Sequence, residues 1–305
     1  MRGRPGPVKV AVAGSSGFVG SALLPLLRSG GHDVVRLVRR APRAPDEVSW
    51  SPDTGTVDTT SLEGVEALVN LAGAGIGDKR WTESYKQTLY DSHVATSRVL
   101  ARAAAELAPT MTTLVNVGAM GYYGNDTGGT RLVEDSPAGD DFAARIIVDK
   151  ERATEPAAEA GVRVVLPRLS LVMDGSGSTF GRRLLPLAKV GLLGPLAGGR
   201  TIWSVVSLAD TTRAIAHLLT DEQAAGPYNV SAPETTTNGE FTRLLGQRLH
   251  RPTVLPVPKF GLSIVLGEFA GDVLADFNID PARLIGTGIT FEQPDAASVI
   301  DAAVS

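Results

Sequence analysis

The stretch from Val8 to Arg40 constrains this chain most: VKVAVAGSSGFVGSALLPLLRSGGHDVVRLVRR reads as a strand, a glycine elbow, a helix and a second strand. Val8, Val10, Ala11, Val12 and Ala13 form an apolar run too short and too β-branched for a helix. It stops at Gly14, as a buried parallel strand does. Gly14, Gly17 and Gly20 punctuate the turn that follows. Val19, Ala22, Leu23, Leu26 and Leu27 recur at helical spacing, Gly30 and Gly31 end the helix, and Val34 to Val38 is the next strand. Pro25 falls inside that helix and predicts a kink. In a β-α-β unit the first glycine makes the tight turn, the next lets backbone N–H groups approach a pyrophosphate, and the last lets helix and strand pack closely. The elbow therefore points to a bound dinucleotide, with Gly14, Ser15, Ser16, Gly17, Phe18, Val19 and Gly20 as its contacts.

The end of the second strand bears on which dinucleotide. An Asp or Glu there suits a ribose 2′-hydroxyl, and a nearby Arg suits a 2′-phosphate. The chain has Arg39 and Arg40 at this point and no acid from Val34 through Pro45. A guanidinium binds phosphate bidentately, so these two residues favour NADP(H); a solvated strand end is the competing reading.

Composition narrows the class. With 305 residues, 43% of them hydrophobic, the chain can bury a full core. No apolar run approaches the roughly 18 residues that a membrane span needs, and the apolar stretch after the basic start MRGRPGP ends at Gly14 and lacks the length and flanks expected of a signal peptide. The absence of cysteine excludes disulfides and thiol chemistry and makes the cytoplasm the expected location. A formal charge of −4 gives no reason to expect nucleic acid or an anionic membrane as partner. The four histidines, His32, His93, His217 and His250, show no metal-ligand spacing.

After the first unit, short apolar strands alternate with helical stretches: Glu47 to Trp50, Glu66 to Leu71, Thr112 to Val117 and Val162 to Leu166 as strands, Trp81 to Leu107 and Asp140 to Ala160 as helices. This order predicts an α/β, Rossmann-type, doubly wound parallel sheet. The small residues Leu71, Ala72 and Gly73 end one strand where a cofactor would lie. From Leu169 on, loop-rich Gly- and Pro-containing segments suggest a smaller substrate cap. The expected division is a dinucleotide domain over 1–168, completed by about 205–232, with 169–204 and 233–305 forming the cap and a small C-terminal domain. A helix begins at Thr237, and helical periodicity runs from Phe260 to Ala275.

The G-x-x-G-x-x-G spacing of the elbow resembles that of the short-chain dehydrogenase/reductase superfamily. VNLAGAGIGDKRW (Val69 to Trp81), GYYG (Gly121 to Gly124), EDSP (Glu134 to Pro137) and GPYNVSAPETTTNGEFTRLLGQRLHRP (Gly226 to Pro252) resemble its extended, epimerase-family branch. Members are labelled sugar-nucleotide epimerase or cell-division inhibitor and carry a small C-terminal domain of unknown function. A cofactor unit joined to a cap suggests a small, sugar-like or cyclic substrate, and a monomer or homodimer is expected. The resemblance implies a Ser or Thr after the fifth strand and a Tyr-x-x-x-Lys on the next helix, and here the chain departs. Its five tyrosines, Tyr85, Tyr90, Tyr122, Tyr123 and Tyr228, are followed four residues later by Leu89, Val94, Asp126, Thr127 and Ala232. By position Lys150 matches the family lysine, Ile146 replaces the tyrosine, and Gly118-Ala119-Met120 replaces the hydroxyl residue.

Candidate catalytic residues are therefore Tyr123, Tyr122 and Lys150, with Glu134 and Asp135 as further acids. Lys150 faces the apolar side of its helix without a local carboxylate, so it either meets a distant partner such as a nucleotide ribose or snorkels to solvent. Gly118, Arg168 and His93 complete the expected cofactor contacts; His93 falls where extended relatives keep an active-site Asn. Three functions stay open: an NADP(H)-dependent oxidoreductase or epimerase/dehydratase, a nucleotide-binding protein without turnover, and a scaffold recruited for non-redox chemistry such as cyclisation.

Overall fold

The computed structural model describes residues 6–253, 256–258, 260 and 267–305. Its strands are β1 (Lys9–Ala13), β2 (Asp33–Val38), β3 (Glu47–Ser51), β4 (Thr56–Val57), β5 (Ala67–Asn70), β6 (Thr113–Asn116) and β7 (Gly118–Ala119). They continue with β8 (Arg131–Leu132), β9 (Arg163–Leu169), β10 (Leu171–Met173), β11 (Ile202–Trp203), β12 (Val205–Ser207) and β13 (Gly226–Val230). The main sheet runs β4-β3-β2-β1-β5-β6-β9-β13, and β7 continues beside β9 beyond the end of β6. Every neighbour pairs parallel except β3 with β4, so the expected Rossmann-type sheet is present.

Strand alternation explains why both faces are covered. Val10 and Val12 of β1 enter one core with Leu23 and Leu27 of α1 (Phe18–Ser29) and with Ile215 and Leu218 of a later helix (Leu208–Thr220). Ala11 and Ala13 point the other way, into a core with Val99, Leu100 and Ala104 of α2 (Glu83–Glu106). A strand apolar at every position is what such a two-faced sheet requires. A third core joins Phe180, Trp203, Phe241 and Leu245 to Val299 and Ile300 of the last helix (Ala296–Val304).

Three expectations change. α1 runs unbroken through Pro25: both Pro25 and Ser21, whose carbonyl loses its hydrogen bond to the ring, face solvent, where water can replace the missing donor. The helix expected over 140–160 is two, α3 (Phe142–Arg152) and α4 (Glu155–Glu159). Pro156 has no N–H to offer the Arg152 carbonyl, and Thr154 turns its hydroxyl onto the Glu151 carbonyl at 2.6 Å. β9 extends past Leu166 through Pro167, which falls between the last β6 pair and the first β7 pair, where that ladder needs no donor. The helix expected over 260–275 lies partly outside the described residues; 270–274 form one helical turn.

Gly14 holds φ +76°, and a Cβ there would fall 2.7 Å from the Leu71 carbonyl carbon. Left-handed strain and overpacking add, so Gly14→Ala is expected to lower unfolding free energy by about 3 kcal/mol in a urea titration. A loss under about 1 kcal/mol would show that the two strand ends are free to separate.

Candidate functional site

β1 has β2 on one side and β5 on the other, so chain connections leave in opposite directions there and a crevice opens at the strand ends. A groove of about 940 Å³ lies in it. Its lining comes from Gly14–Gly17 of the elbow, Leu71–Ala74 after β5, 36–40 at the end of β2, Trp50, Pro52 and Asp53 after β3, and Thr88, Asp91, Ser92, Ala95 and Thr96 of α2. Gly17 is the N-cap of α1 and offers no capping side chain, and the first turn carries no acid, which leaves helix N–H groups and the positive dipole end for an anion. Gly20 serves packing instead. A Cβ there would sit 2.2 Å from the Gly14 carbonyl oxygen, so its bareness lets helix and turn touch. Phe18, Val19 and Gly20, expected to line the site, do not line this groove. Val19 packs on the sheet core, and the Phe18 ring abuts Gly177 in the segment after β10.

The basic cluster at the end of β2 is partly spent. Arg36 grips Asp46 through two 3.0 Å hydrogen bonds. Arg40 holds Glu47 at 2.7 Å on both oxygens, and these bonds pull the Glu47 carboxyl down to about 2. Asp46 and Glu47 lie just past the acid-free stretch and reach back because β3 pairs with β2. Arg40 is thus committed to a carboxylate. Arg39 is exposed, lines the groove and has no hydrogen bond or ion pair among the described residues.

A buried polar clasp ties the far end together. Leu-Val-Asn closes both β5 and β6, and the register places Asn70 opposite Asn116. Asn70 Nδ2 donates to Asn116 Oδ1 at 2.7 Å and to Ser97 Oγ at 3.1 Å, while its Oδ1 accepts from Ala72 N at 3.0 Å. Asn116 Nδ2 donates to the Lys150 carbonyl at 3.1 Å. Sequence reasoning misses this network; the repeated strand-ending asparagine is the signal that could have found it.

Lys150 does not snorkel: it is 2% exposed, and its ammonium has no hydrogen bond or ion pair among the described residues. Burial pulls it down to about 8, against the opposing pull of Glu151. Near it, His93 Nε2 lies 3.0 Å from the Ala74 carbonyl oxygen. Burial first, and the Lys150 charge second, hold that ring neutral by lowering it to about 3.

The remaining expected residues serve the interior. Arg168 makes a two-pronged ion pair with Glu151, 2.8 Å on each oxygen, and lies 3.3 Å over the Tyr122 ring. It is a buried strut rather than a groove residue. Tyr123, 4% exposed, donates to Asn229 Oδ1 at 2.7 Å and accepts from Arg168 Nη1 at 3.1 Å. Burial raises its hydroxyl, and Asn229 already takes its proton, so a donor role needs that arrangement broken. Tyr122 packs edge-on to Tyr123, Gly118 abuts Ile147 of α3, and Glu134 accepts from Asn229 N at 2.8 Å. Asp135 is exposed. Among the described residues no cluster could hold a metal and no helix is long and apolar enough to cross a membrane.

Residues 10–231 match the model of the NAD dependent epimerase/dehydratase family. The chain belongs to this family. The epimerase-family resemblance read from the motifs is thus borne out. Epimerase family protein Mb2239 of Mycobacterium bovis is 42% identical over 284 residues, covering 92% of this chain and 93% of that protein. Human epimerase family protein SDR39U1, solved with NADPH, superimposes with a TM-score of 0.87 at 28% identity, covering 97% of this chain and 98% of that one. A nucleoside-diphosphate sugar epimerase of Corynebacterium glutamicum gives 0.81 at 32% identity, covering 98% of this chain and 58% of its own. A family of this kind accounts for a groove at the switch point; it does not account for the buried lysine without its tyrosine.

The depressed Lys150 sets a pH signature. The unfolded chain binds the extra proton between about 8 and the ordinary 10.5, so stability rises with pH across that window and the burial cost is fully present below it. Lys150→Met is expected to be more stable than the wild type at pH 7, by up to about 3 kcal/mol, with the gap closing toward pH 10 in urea titrations. A Lys150→Met protein less stable than wild type at pH 7 would mean that the ammonium has a strong partner.

Proposed function

We propose that the chain binds NADP(H) along this groove and works as an oxidoreductase or epimerase/dehydratase on a small sugar-like or cyclic substrate. The observation that carries the reading is Arg39, a groove arginine with no carboxylate partner among the described residues, beside an elbow shaped for a pyrophosphate. The lining fits the group. Gly14 and Gly17 keep the backbone bare, the uncapped α1 N-terminus favours the phosphates, and Arg39 is free for a 2′-phosphate. The NADPH held by the human relative supports the same choice.

When bound, the nicotinamide supplies or accepts hydride. The chain's own part is to position and to handle the proton. Lys150 brings a desolvated positive charge whose pKa near 8 suits it to donate a hydrogen bond, or a proton, to an oxygen that gains charge. Asn116 holds the Lys150 backbone, and through Asn70 the same clasp holds Ala72 of the groove wall. The proposal includes a cytoplasmic location, supported by a chain without cysteine.

One observation favours a second reading, nucleotide binding without turnover. Ile146, 2% exposed, fills the tyrosine position of the family dyad, and Tyr123 has its hydroxyl bound on both sides. Steady NADPH consumption or isomer interconversion with a carbonyl or sugar-nucleotide panel separates the two.

Thermal-shift and calorimetric titrations with NADPH, NADP, NADH and NAD test the proposal. NADPH at 100 times its Kd is expected to add about 2.7 kcal/mol of stability. Arg39→Ala is expected to weaken NADPH roughly 10- to 100-fold and leave NADH nearly unchanged. No stabilisation by any of the four nucleotides would end the proposal.

A further inference from the structure

The segment 267–279 is anchored at one end and lightly held at the other. At the anchored end Phe277 N donates to the Ile202 carbonyl at 3.1 Å, the Asp276 carboxylate accepts from Ile202 N at 2.6 Å, and Ser204 Oγ donates to the Phe277 carbonyl at 2.7 Å. Asn278–Ile279 then pairs with β8. At the other end Gly267 holds φ +63°, and a Cβ there would fall 2.9 Å from Arg80 Nε. Glu268 meets Lys86 of α2 at 2.5 Å, in an ion pair whose carboxylate side chain is 60% exposed. Exposed pairs of this kind hold weakly and are screened by salt.

Between these ends, the helical turn 270–274 reaches the positions where the family keeps its catalytic hydroxyls. Ile146 stands at the tyrosine position, and Ala119 lies in the tripeptide that replaces the Ser or Thr. Ile146 belongs to an apolar cluster with Trp81, Tyr85 and Ile147, and Ala74, Ala119, Tyr122 and Val273 all pack against that cluster. Ala74 also lines the groove. Val273 thus carries an aliphatic side chain from a distant part of the sequence onto the end of the groove. It is half-buried, it touches the core of Trp203 and Phe241 as well, and its carbonyl accepts from Trp203 Nε1 at 3.3 Å.

We infer that residues 267–274 form a lid over the nicotinamide end of the groove, hinged at Asp276 and Phe277, latched by the ion pair of Glu268 with Lys86 and plugged by Val273. What lies beneath the lid rests on the NADP(H) reading. A substrate that approaches the nicotinamide displaces Val273 from the Ile146 cluster, and the turn closing behind it keeps water out of a hydride transfer. The latch is electrostatic and neither of its residues lines the groove. Salt, or loss of the Glu268 charge, therefore opens the lid and leaves the nucleotide contacts intact.

Hydrogen exchange in the whole protein, read by NMR at the Trp203 indole N–H, tests the lid. That hydrogen is bonded to the Val273 carbonyl and is released when the turn lifts. Its protection factor is expected to lie roughly 100-fold or more below that of the Val12 amide in the core of the sheet, as a local opening requires. Glu268→Gln, and separately about 0.5 M salt on the wild type, are each expected to lower the indole protection a further roughly 3- to 5-fold with Val12 unchanged. Indole protection close to that of Val12, or unmoved by both Glu268→Gln and salt, would overturn the lid. Gating is read from NADPH held by excess protein, with phenazine methosulfate as a small oxidant that takes hydride from the nicotinamide. Glu268→Gln is expected to speed this oxidation by the same factor as the indole exchange. Faster indole exchange with an unchanged oxidation rate would show a turn that moves without gating, and would overturn the inference while the nucleotide reading stands. If NADPH does not bind, the nucleotide reading fails, and the indole exchange still decides whether the turn opens on its latch.

Discussion

Two strand ends meet at the centre of this protein with no room for a side chain between them. Gly14, leaving β1, lies so close to Leu71 and Ala72, leaving β5, that a single added carbon would overlap three backbone atoms. That contact sets the floor of the groove. Gly20 repeats the device one turn into α1, where the helix start rests on the Gly14 carbonyl. Close backbone approach on both sides of the switch point leaves N–H groups, and not side chains, to face the groove.

The other half of the site is held by amide side chains rather than by glycine. Asn70 and Asn116 sit side by side at the ends of adjacent strands, with Ser97 of α2 bonded to both. Fully satisfied buried networks of this kind specify one arrangement. This one reaches the Ala72 amide in one direction and the Lys150 carbonyl in the other, so the groove wall and the buried lysine share a support. A second scaffold, Glu151–Arg168–Tyr123–Asn229, runs behind it and takes up the polar groups that the motifs suggest for catalysis.

The sheet and the elbow are legible in the sequence for one reason: parallel strands covered on both faces are apolar at every position, and their breaks fall on glycine or asparagine. Pairing across the fold is invisible to the same pattern. Arg39 and Arg40 look alike side by side, and only the β2–β3 register shows that Glu47 engages one of them. Arg168 looks like a groove residue because it closes a strand; its partner Glu151 sits on α3. Lys150 is a cation on an apolar face by sequence and is buried in the structure, yet the helix pattern alone does not decide between burial and solvent, since that depends on what other elements pack against α3. His93 shows the same limit: its position suggests the site, but only the structure shows that its Nε2 meets the Ala74 carbonyl.

A crystal structure of the protein with NADPH tests the central claim most directly. The account predicts the pyrophosphate over Gly14–Gly17, the 2′-phosphate against Arg39 and the nicotinamide ribose on the side of Lys150 and His93. Density for the nucleotide elsewhere on the surface, or an elbow that stays empty at saturating NADPH, would contradict it.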